Sequence, residues 1–203
     1  MSGVAQFSGQ PAQMPPMPVR QFTVDEYHRM IQTGILREGE PYELLEGWIV
    51  PKMTRNPPHD LALGLADDEI GSRLAAGWFR RVQSAVTTPD SEPEPDLAVV
   101  RGSRRDYADH HPGPRDMGLV IEVADATLQH DRVVKGRLYA RGGVPTYWII
   151  NIPDRQVEVY TDPTGPDPAA HYRQRQDYRI GDSVPLILDG NQIGQIPVQN
   201  LLP

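Results

Sequence analysis

The sequence contains no cysteine. This absence excludes a disulfide framework, a zinc site built on thiolates and catalysis by a cysteine nucleophile. It also suits a reducing cytoplasm, which is the location we expect for the protein. Long apolar runs are lacking as well, since no stretch approaches the roughly 20 residues that a helix needs to span a bilayer. We therefore expect no membrane association.

The first part of the chain has little from which a core could be built. Residues 1–20 hold four prolines between Pro11 and Pro18, and they lack the basic start and the apolar centre of a secretion signal. We predict a disordered leader over residues 1–20. The remaining length fits one domain, which we place at residues 21–203.

Basic residues are fewer than acidic ones, since the sequence has 20 Lys and Arg and 27 Asp and Glu, which gives a net charge of −7. This balance disfavours broad nonspecific binding of nucleic acid, which depends on neutralising phosphates. A local basic surface remains open. The polar segment 101–115 is the best candidate, and we predict nucleic-acid contacts from Arg101, Arg104 and Arg105. The alternative is a solvated loop whose arginines are balanced by neighbouring aspartates.

Hydrophobic periodicity predicts a mixture of helices and strands. A capping-box pattern at Thr23 and Glu26 predicts a helix at Val24–Gln32. Apolar residues at helical spacing predict two more helices, from His59 to about Ala76 and at about Leu128–Arg141. The predicted strands are Tyr42–Leu45, Trp48–Val50, Val82–Thr88, Leu97–Val100, Leu119–Ala124, Thr146–Asn151, Val157–Tyr160, His171–Ile180, Val184–Leu188 and Ile193–Pro197. This order predicts an α/β or α+β fold with a mixed sheet, a helix that crosses over between two strands, and additional antiparallel edge strands.

Two of the predicted strands carry a carboxylate among apolar residues. Asp96 precedes Leu97 at a strand start, and Glu122 lies within the run Leu119–Ala124. An unpaired buried charge costs several kcal/mol, so a carboxylate in such a place needs a partner. If the two strands are neighbours, both carboxylates meet at one end of the sheet, and Lys135 follows on the next helix.

This combination is typical of a divalent-metal site for phosphodiester chemistry. Asp96, Glu122 and the backbone carbonyl of Val123, together with waters, would form a ligand set for Mg²⁺ or Mn²⁺. Such an ion lowers the pKa of a bound water, and Lys135 would orient the nucleophile or stabilise developing charge. The alternatives are that Asp96 merely ends a turn, that Glu122 is a satisfied structural ion pair, and that Lys135 is a surface partner of Asp131.

At these residues the chain resembles the Uma2-like (DUF820) family of PD-(D/E)xK endonuclease-like proteins. The resemblance covers roughly residues 22–160, and it depends on the order and spacing of its parts rather than on any single one. The matching stretches are Tyr42-Glu-Leu-Leu-Glu-Gly47, His59, Pro95-Asp96, Leu119-Val-Ile-Glu-Val123, Lys135, Leu138-Tyr-Ala140 and Gly143-Val-Pro-Thr-Tyr-Trp148.

The resemblance implies a restriction-endonuclease-like core, Mg²⁺-dependent cleavage of DNA and a homodimer. By matched position, Asp96 would be the Asp of the PD motif and Glu122 the acidic residue of (D/E)xK. Ala124 stands where the motif places its lysine, and the resemblance implies that Lys135 replaces it. Glu43 and His59 also match family positions near the site, Glu43 as a further metal or water ligand and His59 as a phosphate or base contact. Structural roles for these two residues are the alternatives.

One turn departs from the family pattern. A Ser-Pro-Ser-Thr-like turn is common there, whereas this chain has Ala124-Asp-Ala-Thr127, in which Asp125 is either an added ligand or a helix cap. The expected function is a Mg²⁺-dependent endonuclease that hydrolyses DNA phosphodiester bonds through a metal-activated water. The alternative is a catalytically inactive nuclease-fold protein that serves as a binding or assembly module. A hydrolase of small phosphate esters ranks last, because no Gly-rich phosphate loop is present.

Overall fold

The computed structural model describes residues 19–37 and 39–203. Apart from Val19 and Arg20, the leader predicted for residues 1–20 lies outside the described residues. Within the described part, the chain forms ten strands and several helical segments around one six-stranded sheet. No helix in this part is both long enough and apolar enough to cross a membrane.

The six-stranded sheet contains the strands that carry the candidate site. The strands in chain order are β1 (Tyr42–Leu45), β2 (Trp48–Pro51), β3 (Trp78–Val82), β4 (Leu97–Arg101), β5 (Met117–Ala124), β6 (Thr146–Asn151), β7 (Gln156–Pro163), β8 (Tyr172–Arg179), β9 (Ser183–Leu188) and β10 (Asn191–Pro197). The main sheet has the order β3-β4-β5-β6-β7-β8, in which β5 and β6 are parallel and all other neighbours are antiparallel. The pairs β1–β2 and β9–β10 form two separate hairpins.

Three helical segments flank the sheet. Helix α1 (Val24–Gln32) begins with the predicted capping box, since Thr23 and Glu26 exchange side-chain to backbone hydrogen bonds. Helix α2 (Pro57–Gly71) is capped by Asn56, whose side chain accepts from the backbone N–H of His59. The third segment, which we call the crossover helix, joins α3 (Leu128–His130), a π-helical turn (Asp131–Lys135) and α4 (Gly136–Gly142). It connects the parallel strands β5 and β6, so the predicted crossover is confirmed.

Alternation along β5 decides what each side chain meets. Leu119 and Ile121 pack in the core between the sheet, α2 and the β9–β10 hairpin. Val120 and Ala124 pack in a second core beneath the crossover helix. Because side chains two residues apart share a face, Glu122 also points toward the crossover helix. The site therefore lies at the end of this second core.

Three predicted elements are wrong in detail. The strand predicted at Val82–Thr88 is instead β3, which ends where that prediction began, because Gln83 adopts a φ of 46° and turns the chain out of the sheet. Beyond it, Thr87 donates to the carbonyl of Pro112 rather than to a strand neighbour. Helix α2 ends at Gly71, five residues before the predicted end. The β9–β10 hairpin packs on the core instead of extending the sheet edge.

Candidate active site

The antiparallel pairing of β4 with β5 brings the two predicted carboxylates together. Leu97 lies opposite Ile121, so that Asp96, one residue earlier, lies beside Glu122. The backbone N–H of Asp96 donates to Glu122 Oε2 at 3.3 Å. The side chain of Asp96 accepts at Oδ2 from the backbone N–H of Val123 at 2.8 Å. Asp96 thus does more than end a turn, because its carboxylate is tied to β5 at the end of the sheet.

Lys135 reaches the same point from the crossover helix. Its Nζ donates to Glu122 Oε1 at 3.1 Å and lies 3.5 Å from Glu43 Oε2. Lys135 is 6% exposed, so the alternative in which it is a surface partner of Asp131 is wrong. The structure therefore brings together Asp96, Glu122 and Lys135, the three residues that the sequence analysis named as catalytic.

Glu122 has hydrogen-bond partners on both carboxylate oxygens. Besides Lys135, Oε1 accepts from the hydroxyl of Tyr139 at 2.7 Å, and the contact from the Asp96 backbone occupies Oε2. Tyr139 is fully buried and comes one helical turn after Lys135. The sequence analysis did not assign it to the site, although its spacing of four residues from Lys135 places both on one helix face.

The two supporting residues also lie at the site. Glu43 comes from β1, is 6% exposed, and accepts at Oε2 from the backbone N–H of Glu94 at 3.1 Å. His59 comes from the first turn of α2, and its Nε2 lies 3.1 Å from Asp96 Oδ2. His59 Nδ1 is buried, and within the described residues it makes no hydrogen bond; its nearest acid is Asp60, at 3.6 Å.

A π-helical turn sets the rotation of the crossover helix at the site. The N–H of Gly136 donates to the carbonyl of Asp131, five residues back, and the Tyr147 hydroxyl donates to the same carbonyl at 3.1 Å. Asp131 is 5% exposed, and its Oδ2 accepts from the hydroxyl of Thr127 at 2.6 Å. Turns of this kind are frequent at functional sites. Sequence periodicity alone predicts a regular helix here and gives no signal for the extra residue in the turn.

These side chains open into a cleft of about 770 Å³. Its acidic lining residues are Glu43, Asp60, Glu94, Asp96, Glu122 and Asp131, and its basic ones are Lys52, Arg55, His59, His130 and Lys135. The segment 52–55, between β2 and α2, forms part of the rim and supplies two of these cations. The sequence analysis did not assign Lys52, Arg55, His130 or Asp131 to the site, because no local pattern shows that a residue of this loop or of the crossover helix lines the cleft.

Burial raises the pKa of the two most enclosed acids. The pKa of Glu122 rises to about 8, because desolvation outweighs the attraction of the Lys135 ammonium and because Asp96 and Asp131 are negative. The pKa of Asp131 rises to about 6 for the same main reason, opposed by its hydrogen bond from Thr127. Both carboxyl groups therefore take up protons more readily than ordinary acids do. A cation in the cleft would reverse this tendency.

Three other groups of the cleft, Lys135, Asp96 and His59, have pKa values shifted toward their charged forms. Burial by itself would lower the pKa of Lys135, but the charges of Glu122 and Glu43 raise it above its ordinary value. Burial likewise opposes ionisation of Asp96, yet the hydrogen bond and charge of His59 lower the pKa of Asp96. The pKa of His59 is raised by the same pair, against the effect of burial. Lys135 is thus a fixed ammonium at neutral pH, and Asp96 a fixed carboxylate.

The three predicted nucleic-acid contacts lie elsewhere. Arg101 ends β4, and five residues of strand, about 17 Å, separate it from Asp96. Its guanidinium pairs with Asp189 at 2.6 Å and stacks over Trp78 at 4.5 Å. Arg104 and Arg105 belong to a 3₁₀ helix that follows β4. None of the three lines the cleft.

Asp125 is neither a helix cap nor a lining residue of the cleft. Its Oδ2 accepts from the side-chain amide of Asn56 at 2.6 Å, and Asn56 itself caps α2 at the turn that carries His59. Thr127, not Asp125, stands at the N-cap position of α3. The unusual turn after β5 therefore attaches that strand to the beginning of α2.

The donor chemistry of the cleft fits a hard divalent cation. Within residues 19–37 and 39–203, no three His, Asp or Glu side chains form a ligand cluster by themselves. The proposed ligand set of two carboxylates and one backbone carbonyl does not need such a cluster of three side chains. Asp96 Oδ1 accepts no hydrogen bond from the described residues and remains available as a ligand. Carboxylate oxygens are the donors that Mg²⁺ and Mn²⁺ prefer, and Asp96 and Glu122 both present them to the cleft.

Comparison with known proteins agrees with this architecture. The sequence model of the Uma2 family, described as "Putative restriction endonuclease", matches residues 24–194. A crystal structure described as a "putative nuclease belonging to DUF820" from Anabaena variabilis ATCC 29413 superimposes with a TM-score of 0.65 at 17% sequence identity, over 89% of this chain and 97% of that one. No curated protein matches the chain. The structural likeness shows the fold, and the match over most of the sequence shows that the chain belongs to the Uma2 family.

Proposed function

We propose that the protein is a divalent-metal-dependent endonuclease that hydrolyses DNA phosphodiester bonds in the cleft. The observation that carries this proposal is the buried Lys135–Glu122 pair beside the ionised Asp96, at the open end of a sheet. A structural ion pair needs no cleft, whereas these groups line one of about 770 Å³. The family match supports the same chemistry.

Asp96 and Glu122, with the carbonyl of Val123, are the proposed ligands of Mg²⁺ or Mn²⁺. Asp96 offers its free Oδ1, and Glu122 offers Oε2, whose contact with the Asp96 backbone is long at 3.3 Å. Glu43, which also faces Lys135, is a supporting ligand in this proposal. When bound, the cation would lower the pKa of a water and neutralise charge on the phosphate.

The residues of the chain itself supply orientation and charge. Lys135 stays protonated, so it is not a general base; its role is to donate hydrogen bonds to the attacking water or to a phosphate oxygen. Tyr139 and Lys135 together fix one oxygen of Glu122, which leaves the other directed away from the helix. His59 holds Asp96 in its ionised form, and its direct contact with a phosphate or a base remains a further part of this proposal.

Cleavage of supercoiled plasmid with Mg²⁺ or Mn²⁺ tests the proposal. We expect Asp96→Asn to abolish metal-dependent nicking, because it removes a charge that the cation requires while preserving the size of the side chain. Asp109→Asn is the matched control, since Asp109 is 90% exposed and lies outside the cleft. Equal cleavage by the parent and by Asp96→Asn, with the same metal and after the same purification, would contradict the assignment.

A second candidate is a nuclease-fold protein that binds without cutting. It is favoured by one observation, the hydrogen-bond partners on both oxygens of Glu122, which a metal would have to displace. Calorimetric titration with Mn²⁺ separates the two functions. Heat of binding that Asp96→Asn removes supports the nuclease, whereas its absence in the parent protein favours the binding module.

We also propose a homodimer, formed through the exposed edge strands of the main sheet. Among residues 19–37 and 39–203, strands β3 and β8 each pair on one side only, and such edges commonly join across a two-fold axis. Sedimentation equilibrium of the full chain measures the oligomeric state directly. A monomer at all accessible concentrations would refute this part of the proposal without affecting the assignment of the cleft.

A further inference from the structure

We propose that Arg81 and Arg104 form a second site, which binds a backbone phosphate of the DNA about two nucleotides from the scissile one. This inference rests on the proposed nuclease function, and it names where the substrate is held. It differs from the sequence-based choice of Arg101, Arg104 and Arg105, because it keeps only Arg104 of these and adds Arg81. The evidence is a small pocket, an unsatisfied buried nitrogen and the position of both relative to the cleft.

The pocket has a volume of about 260 Å³ and lies at the free edge of β3. Arg80, Arg81 and Arg104 line it, together with one acid, Asp67. The charge of Asp67 is matched by Arg80, with which it forms a salt bridge. Within the described residues, neither Arg81 nor Arg104 forms a salt bridge, so the pocket carries an excess of positive charge in an acidic protein.

Arg81 is the residue that most needs a ligand. Its Nε is buried and has no hydrogen-bond partner within the described residues. Its Nη2 makes two long hydrogen bonds, to the carbonyl of Ala85 at 3.3 Å and to His111 Nδ1 at 3.5 Å. Burial and the nearby charge of Arg104 lower the pKa of Arg81. A phosphate would supply the missing acceptors, because a guanidinium binds its oxygens through two parallel hydrogen bonds.

The two sites are adjacent along the chain, where it leaves the end of β3. Gln83 lines the cleft, and its backbone N–H donates to the carbonyl of Asp96 at 3.0 Å. Val82 and Ser84, on either side of Gln83, line the second pocket. No other element therefore has to be crossed between the candidate catalytic residues and Arg81.

The separation suits neighbouring nucleotides. Arg81 lies two residues before Gln83, a spacing of at most about 7 Å because Gln83 leaves the extended conformation. Phosphates of one DNA strand recur about every 3.4 Å along the helix axis. A chain whose scissile phosphate is in the cleft would place a phosphate about two nucleotides away at Arg81, and Arg104 would contact it from the 3₁₀ helix.

Binding of a labelled duplex, measured by fluorescence anisotropy with a chelator present so that no cleavage occurs, tests the inference. We expect Arg81→Ala and Arg104→Ala each to weaken binding by about tenfold, and the double variant to lower the slope of log affinity against log salt by about two. Arg179→Ala is the matched control, because it removes an exposed arginine from β8, far along the sheet from β3. Since Arg104 is exposed, its variant also tests the inference if Arg81→Ala folds poorly.

Two further measurements separate this inference from the proposed function. If the parent protein cleaves DNA and both variants bind DNA as tightly as the parent does, the phosphate site is overturned. The proposed nuclease function is then unaffected. If the parent protein binds DNA without cleaving it and the variants lose that binding, the phosphate site is supported and the proposed nuclease function is refuted. If calorimetry shows that inorganic phosphate binds the parent through Arg81 while duplex affinity is unchanged in the variants, the pocket serves a small anion and the inference is overturned.

Discussion

Lys135 donates a hydrogen bond to Glu122 from a different element, 13 residues later in the chain. Ala124, which stands where the PD-(D/E)xK motif has its lysine, is completely buried against the crossover helix on the same face as Glu122. A small residue at this position lets the helix pack closely over the strand. The close packing in turn allows Lys135 to reach the carboxylate, which gives a steric reason for the proposal that Lys135 takes the place of the motif's lysine.

Removal of the Lys135 charge is expected to destabilise the protein. Lys135→Met leaves Glu122 and Glu43 buried without a cation, and breaking a buried pair in this way costs about 3–5 kcal/mol in the free energy of unfolding. Urea denaturation measures this loss. The other lysine, Lys52, pairs with Glu94 at a half-exposed position, so Lys52→Met should cost less than about 1 kcal/mol. Equal losses for the two variants would refute a special role for the buried pair.

Tyr139 is expected to position Glu122 rather than merely to fill the core. Tyr139→Phe keeps the ring but removes the hydroxyl donor, and the loss of one buried hydrogen bond to a carboxylate should cost about 1–3 kcal/mol. Tyr172→Phe is the matched control, because its hydroxyl donates to the carbonyl of Val144 outside the site. We expect both variants to be destabilised and only Tyr139→Phe to lose metal-dependent cleavage. Cleavage that falls equally in both would indicate a general effect on stability.

Stability in the absence of metal should depend on pH through Glu122. Its pKa is about 8 in the folded protein, above the ordinary value near 4.5, so between these values the folded state binds more protons than the unfolded state. The free energy of unfolding should therefore fall as the pH rises from about 5 to about 8. Asp131, with a pKa of about 6, acts in the same direction over the lower part of this range.

Glu122→Gln isolates this effect, because glutamine keeps hydrogen-bonding capacity and cannot ionise. Histidines whose pKa is lowered by burial, such as His111 and His130, act in the opposite direction in both proteins and cancel in the comparison. We expect the stability of the parent relative to Glu122→Gln to decline between pH 5 and pH 8, as measured by urea denaturation with a chelator present. A constant difference over this range would show that Glu122 is ionised throughout.

Glu46 is expected to hold Glu43 against Lys135. It stands in the β1–β2 turn and accepts from Arg137 at 2.7 and 2.6 Å and from Arg141 at 2.9 Å, so that it fastens this hairpin to α4. These bonds lower the pKa of Glu46, chiefly through Arg137. Glu46→Gln should increase amide hydrogen exchange in β1 and reduce cleavage, while Asp162→Asn, which breaks the exposed pair with Arg173, should change neither. Unchanged exchange in β1 would show that packing alone holds the hairpin.

Local sequence patterns were sufficient to predict much of the fold. The capping box of α1, the two strands that form the β1–β2 hairpin and the end of the crossover helix near Arg141 are short-range features, and all three are present as predicted. The family resemblance is confirmed by the match over residues 24–194. The strand predicted at Val82–Thr88 failed because apolar composition does not reveal that Gln83 turns the chain out of the sheet.

The sequence by itself determined which residues carry charge into the core, since Asp96, Glu122 and Lys135 interrupt apolar patterns that can be read along the chain. Tertiary structure alone decided what those charges meet. The β4–β5 register, the π-helical turn and the Glu46–Arg137 contact of the β1–β2 hairpin bring Glu43 and Asp131 to the cleft and Tyr139 to Glu122 from distant parts of the sequence. The physical reason is that a buried charge must find a partner somewhere, and only the packing of separate elements determines which partner is within a few ångströms.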